Sequence, residues 1–98
     1  MVLLFITTAV LTPVFEELLF RGLIQSCFRS VIGPWPAVLL ASVLFGAVHF
    51  TLPHTIIPLT AFGIALGFIY ERTGRLWAPI LCHAIFNSVT MLTVVLAG

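Results

Sequence analysis

The sequence contains no lysine and very little charge of either sign: four arginines and three acidic residues make up 7% of its 98 residues. Soluble domains carry about 25% charged residues, so this chain cannot clothe a water-facing surface. The arginines form no basic patch and the net charge is only +1, so nothing points to a nucleic-acid partner. Cysteine is scarce. Cys27 and Cys82 lie in no CxxC or other metal-ligand spacing, and both are expected to be small, buried, apolar packers. There is no HExxH motif, no internal repeat and no low-complexity linker. The N-terminus lacks the basic region and small-residue cleavage site of a signal peptide.

What is present is hydrophobic length. Hydrophobic residues make up 61% of the chain and the mean hydropathy is +1.26, so the solvent around it is largely lipid. The fold class this predicts is all-α: a polytopic transmembrane bundle of four helices, at about residues 2–32, 35–50, 55–72 and 76–96. Gly33-Pro34-Trp35-Pro36, Thr51-Leu52-Pro53-His54 and Thr73-Gly74-Arg75 are the breaks. Gly63-x-x-x-Gly67 marks a close helix contact, as do the small residues Ala37, Ala41, Ser42, Gly46 and Ala47. Residues 1–98 read as a single domain, still apolar at its end, and are expected to be the core of a longer chain. Arg29, Arg72 and Arg75 fall at the first and third connections, which the positive-inside rule places in the cytoplasm. His54, Tyr70 and Glu71 are expected at the interface.

Three of the seven charges crowd into Glu16-Glu17-Leu18-Leu19-Phe20-Arg21, inside an apolar segment. Desolvating charge is costly, and ionisable residues within a span are functional candidates by default. His49, His83 and the neutral Asn87 complete the set. Glu17 and Arg21 are four residues apart with the acid first, the favourable order on a helix, and read as a neutralising pair. Glu16 is rotated about 100° from Glu17 and is free to face a different neighbour. His83 and Asn87 share a face and present two hydrogen-bond donors, the requirement of an oxyanion hole. Phe45 lies four residues before His49, and Glu16 with His49 can hold and activate a water. By helix rise, Glu16 and His49 lie about 20 Å deep, with His83 and Asn87 at about 10 and 17 Å.

Together, Glu16-Glu17-x-x-x-Arg21, Phe45-x-x-x-His49 and His83-x-x-x-Asn87 resemble the three motifs of the CPBP family, which contains CAAX prenyl endopeptidases and bacteriocin-processing proteins. The resemblance covers about residues 10 to 90. It implies a glutamate-type intramembrane endopeptidase, with Glu16 as base, His49 positioning the water, and His83 and Asn87 stabilising the oxyanion. Glu17 and Arg21 match supporting positions, and Phe45 belongs to the second motif. No cofactor is implied. The implied partners are the lipid bilayer and a peptide or membrane-protein substrate, prenylated or not. The expected location is a prokaryotic cell membrane, with a site reached from the cytoplasmic side. Two other readings stand beside this one: a zinc protease using Glu16, His49 and His83, and a non-catalytic scaffold or bacteriocin self-immunity protein.

Overall fold

The computed structural model describes residues 1–97; residue 98, the last of the expected domain, lies outside the described residues. Four helices carry the fold: α1 (Val2–Ile32), α2 (Pro34–Ala47), α3 (Ile56–Thr73) and α4 (Trp77–Ala97). No strand occurs among the described residues. Helix α1 is continuous but widens to π-helical winding over Thr7–Leu11 and Leu18–Gln25. A single 3₁₀ turn, Pro53–Thr55, leads into α3. Three helical segments are long and apolar enough to cross a membrane: α1 with 31 residues, Pro53–Thr73 with 21 and α4 with 21. The chain is a multi-pass membrane protein.

The reversals follow from glycine and proline. Gly33 sits at φ 88° between α1 and α2, a backbone region open mainly to glycine. Pro34 then opens α2, where its missing N–H is no loss. Gly74 closes α3 in the left-handed conformation, and its N–H donates to the Tyr70 carbonyl at 2.7 Å.

Helix α2 is shorter than the expected 35–50. It ends at Ala47 after 14 residues, which rise about 21 Å. Beyond it the winding tightens: the His49 N–H donates to the Gly46 carbonyl at 3.1 Å. That leaves the Phe45 carbonyl without its usual i+4 amide, and the His49 ring takes that place through Nδ1 at 2.8 Å. His49 therefore lies in a turn just past α2 rather than inside a span.

Helix α3 packs on α1 and α2 through its glycines. A Cβ on Gly63 would meet Phe45 at 3.2 Å and Arg21 Nη2 at 3.3 Å; one on Gly67 would meet Gln25 Oε1 at 2.8 Å and Val38 at 2.9 Å. Gly46 of α2 abuts the Thr60 side chain and the Ile56 carbonyl of α3 in turn. Without driving force from lipid, such close approach is what holds membrane helices together. Ala37, Ala41, Ser42 and Gly46 are buried in this seam, whereas Ala47 is exposed. Both cysteines are also exposed, contrary to the expectation of burial. The physical reason is that the outer surface is itself apolar: Leu, Val, Ile and Phe side chains cover it, so a thiol gains little by turning inward.

Candidate active site

Glu16 and Glu17 sit near the middle of α1 with unequal access to solvent. The Glu17 side chain is fully buried and that of Glu16 is 23% exposed. They do not face separate neighbours, as the 100° rotation suggested. Both reach His83 of α4, one at each ring nitrogen. His83 Nδ1 lies 2.8 Å from Glu17 Oε2 and Nε2 lies 3.4 Å from Glu16 Oε1. A carboxylate accepts, so Nδ1 carries the proton donated to Glu17, and Nε2 is the nitrogen turned toward Glu16. Glu17 thus fixes the orientation of His83, a role beyond the neutralising one assigned from spacing.

His49 approaches Glu16 from the turn after α2, with Nε2 3.9 Å from Glu16 Oε2. The backbone carbonyl on Nδ1 can only accept, so the neutral ring has its proton on Nδ1 and a lone pair on Nε2. The short α2 and its tightened end are what aim this lone pair at Glu16.

Arg21 anchors the group from one turn below. Its Nε lies 3.4 Å from Glu17 Oε1, its Nη2 donates to the Gly63 carbonyl, and its side chain is fully buried. The guanidinium carbon lies 5.3 Å from the Phe45 ring centre. Phe45 meets His49 and His83 edge-on at 5.4 and 5.8 Å, and Phe20 at 5.2 Å. Such pairs add about 0.5–1.5 kcal/mol each beyond area burial, so Phe45 is a packing hub for both histidines. Phe62 of α3 also meets His83 edge-on, at 5.3 Å, and stacks on Phe86 at 4.2 Å. Nothing in the sequence marked Phe62, one of nine phenylalanines.

Asn87 lies one turn beyond His83. Its Nδ2 donates to the Thr8 carbonyl at 3.1 Å, on the π-helical part of α1. One amide hydrogen is therefore taken by α1, and the second remains for a ligand. His54 is exposed in the 3₁₀ turn, away from this group. Gln25, also unmarked by the sequence, is fully buried two turns below Glu17, and its Nε2 approaches the Gly67 carbonyl at 3.4 Å and Glu71 Oε1 at 3.3 Å.

Among the described residues no group of three or more His, Cys, Asp or Glu side chains is arranged to hold a metal ion. Glu16 lies within 4 Å of both His49 and His83, and the other ring nitrogen of His83 is taken by Glu17, so the geometry lends the zinc reading no support.

The fold and site together define a class: a multi-pass helical membrane protein with two carboxylates and two histidines brought together by α1, α4 and the turn after α2. The chain belongs to the type II CAAX prenyl endopeptidase Rce1-like family, whose pattern matches residues 1–89. It is 34% identical over 90 residues to a Bacillus subtilis (strain 168) protein named "Putative membrane peptidase YdiL", covering 92% of this chain and 36% of that one. It is similar to the CAAX prenyl protease 2 of Rattus norvegicus, 35% identical over 78 residues (80% of this chain, 25% of the relative), and of Homo sapiens, 30% identical over 100 residues (80% and 30%). The chain therefore spans only about a third of the length of these curated relatives. No solved structure gives a significant match.

Proposed function

We propose that this chain is the catalytic core of an intramembrane endopeptidase that hydrolyses a peptide bond with a glutamate-activated water. The observation that carries the reading is the 3.9 Å between Glu16 Oε2 and His49 Nε2. That gap is too long for a direct hydrogen bond and suits a bridging water. A water 2.8 Å from both atoms would subtend about 90° between them, close to its own bond angle. Both hydrogens then point at acceptors, and a lone pair points away, toward an incoming carbonyl.

Glu16 takes a proton from this water as the oxygen attacks the carbonyl carbon. The carbonyl π electrons move to the oxygen, where His83 and Asn87 stabilise the charge. With protons on both ring nitrogens, His83 donates to Glu17 through Nδ1 and to the oxyanion through Nε2. Asn87 donates its second amide hydrogen, the first being held by the Thr8 carbonyl. Collapse of the tetrahedral intermediate breaks the C–N bond, and the proton on Glu16 passes to the leaving amine. No covalent enzyme intermediate forms. Glu17, Arg21 and Phe45 position the reacting groups.

The names of the relatives direct the substrate test to peptides ending in a prenylated cysteine motif. By the positive-inside rule the arginine-bearing end of the bundle is the cytoplasmic one in this proposal. The test is cleavage of a farnesylated C-terminal peptide and its unprenylated twin by the protein in nanodiscs, with products identified by mass spectrometry. Cleavage abolished by Glu16→Ala and by His83→Ala supports the reading. Cleavage at the original rate in either variant contradicts it.

A further inference from the structure

A second polar site lies at the arginine-bearing end of the bundle, outside the Glu16 cluster. There α1 and α3 flank an open cavity of about 320 Å³ lined by Ser26, Arg29, Ser30, Tyr70, Glu71 and Gly74. No aliphatic side chain lines it, although the chain is 61% hydrophobic. Its size falls at the lower end of ligand pockets, which run to about 300–1,000 Å³.

The hydrogen bonding shows which chemistry this cavity has to spare. Arg29 meets Glu71 through Nε alone, at 3.1 and 3.0 Å to the two carboxylate oxygens. Its two Nη groups donate to nothing among the described residues, and its side chain is 54% exposed. Glu71 is largely occupied, accepting from Arg29 and, at 3.3 Å, from Gln25 Nε2. Ser26 Oγ donates to the Arg21 carbonyl at 3.0 Å and Ser30 Oγ to the Cys27 carbonyl at 2.7 Å. Tyr70 Oη lies 3.4 Å from Ser26 Oγ, so its proton can serve either Ser26 or the cavity. The unused capacity is thus donors: the Nη fork of Arg29 and the Tyr70 hydroxyl. Charge agrees. Arg29, Arg72 and Arg75 stand at this end against one carboxylate, Glu71, a balance of three minus one, or +2.

A planar N–H fork beside a hydroxyl, at a positive and open end of a membrane bundle, matches an oxyanion with several acceptor oxygens. We propose that this cavity binds a phosphate group, carried on a membrane lipid headgroup or free in solution. Trp35 and Trp77, exposed at the same end, are residues typical of headgroup level, where a lipid phosphate lies.

The test uses the protein in maltoside micelles, which contain no phosphate. Phosphatidylglycerol is titrated in and bound lipid is counted by native mass spectrometry, with inorganic phosphate as competitor. Saturable binding of one lipid that phosphate does not displace assigns a lipid source. Equal binding of inorganic phosphate assigns a soluble one. In either case Arg29→Gln weakens binding by about tenfold, the equivalent of one charge-assisted hydrogen bond. Glu71→Gln tightens it, because a repelling charge is removed and Arg29 is released. A purely structural role for the pair would make both variants bind more weakly, and that result overturns the proposal, as does unchanged binding in Arg29→Gln. Should Arg29→Gln fold poorly, the double variant Arg29→Gln/Glu71→Gln leaves no unpaired charge. Its binding must also fall, and retention at the original affinity overturns the site.

Discussion

Replacing Glu17 by glutamine separates the two jobs this residue performs. The side chain keeps its volume in a fully buried position but loses its charge. One consequence falls on His83, whose Nδ1 no longer faces a carboxylate at 2.8 Å. A hydrogen bond to a charged group is worth about 1.5–3 kcal/mol. At 1.4 kcal/mol per tenfold, its loss in the transition state lowers kcat by about 10- to 150-fold. The other consequence falls on Arg21, left buried without its anionic partner at 3.4 Å. Breaking a buried ion pair from one side destabilises by about 3–5 kcal/mol, reduced here because Arg21 still donates to the Gly63 carbonyl. The two effects are distinguishable. Adding Arg21→Met to Glu17→Gln removes the orphaned cation and should recover thermal stability without recovering kcat. The assay is steady-state hydrolysis of a fluorogenic peptide in nanodiscs, paired with a melting curve in the same lipid. A folded Glu17→Gln protein with unchanged kcat would refute the idea that Glu17 orients His83.

Three further outcomes follow from the packing and the site. Asn87→Ala removes the proposed oxyanion donor together with the clamp on Thr8, and should lower kcat by about 10²–10³-fold with little change in KM, the effect of losing one oxyanion donor, as read by the same assay. His49→Phe keeps a ring beside Phe45 but removes the lone pair facing Glu16; kcat should fall about 10²-fold or more while the melting temperature stays near its original value. Gly67→Ala drives a methyl into Gln25 and Val38, at 2.8 and 2.9 Å, and should destabilise by about 1–3 kcal/mol, measured by denaturant unfolding in mixed micelles.

Features set by neighbours along the chain were legible in the sequence. Helix number and most boundaries came from apolar length and from Gly33-Pro34 and Gly74, because a membrane forces every backbone polar group into helix. The polar residues of the site stood out because lipid tolerates so few. Features set by contacts between helices were not legible. Glu16 and Glu17 converge on one imidazole because their side chains bend toward α4, which a rotation angle along α1 does not reveal. The early end of α2 leaves the Phe45 carbonyl to the His49 ring, a bond made in the turn past the helix that no spacing in the sequence announces. Gln25 carried no spacing signal, since its partners Gly67 and Glu71 lie more than 40 residues away. Burial of the cysteines was inferred from a rule for proteins in water, and it fails where the outer surface is apolar.

Glu16→Gln tests whether Glu16 is the base, as proposed. The amide keeps the shape of the side chain and its reach toward His49 and His83, but it cannot take a proton from water. In the same bilayer, with an unchanged melting curve, hydrolysis should fall by about 10²–10⁴-fold, the range supplied by general-base catalysis, with KM nearly unchanged. Hydrolysis by folded Glu16→Gln at close to the original kcat would contradict the account.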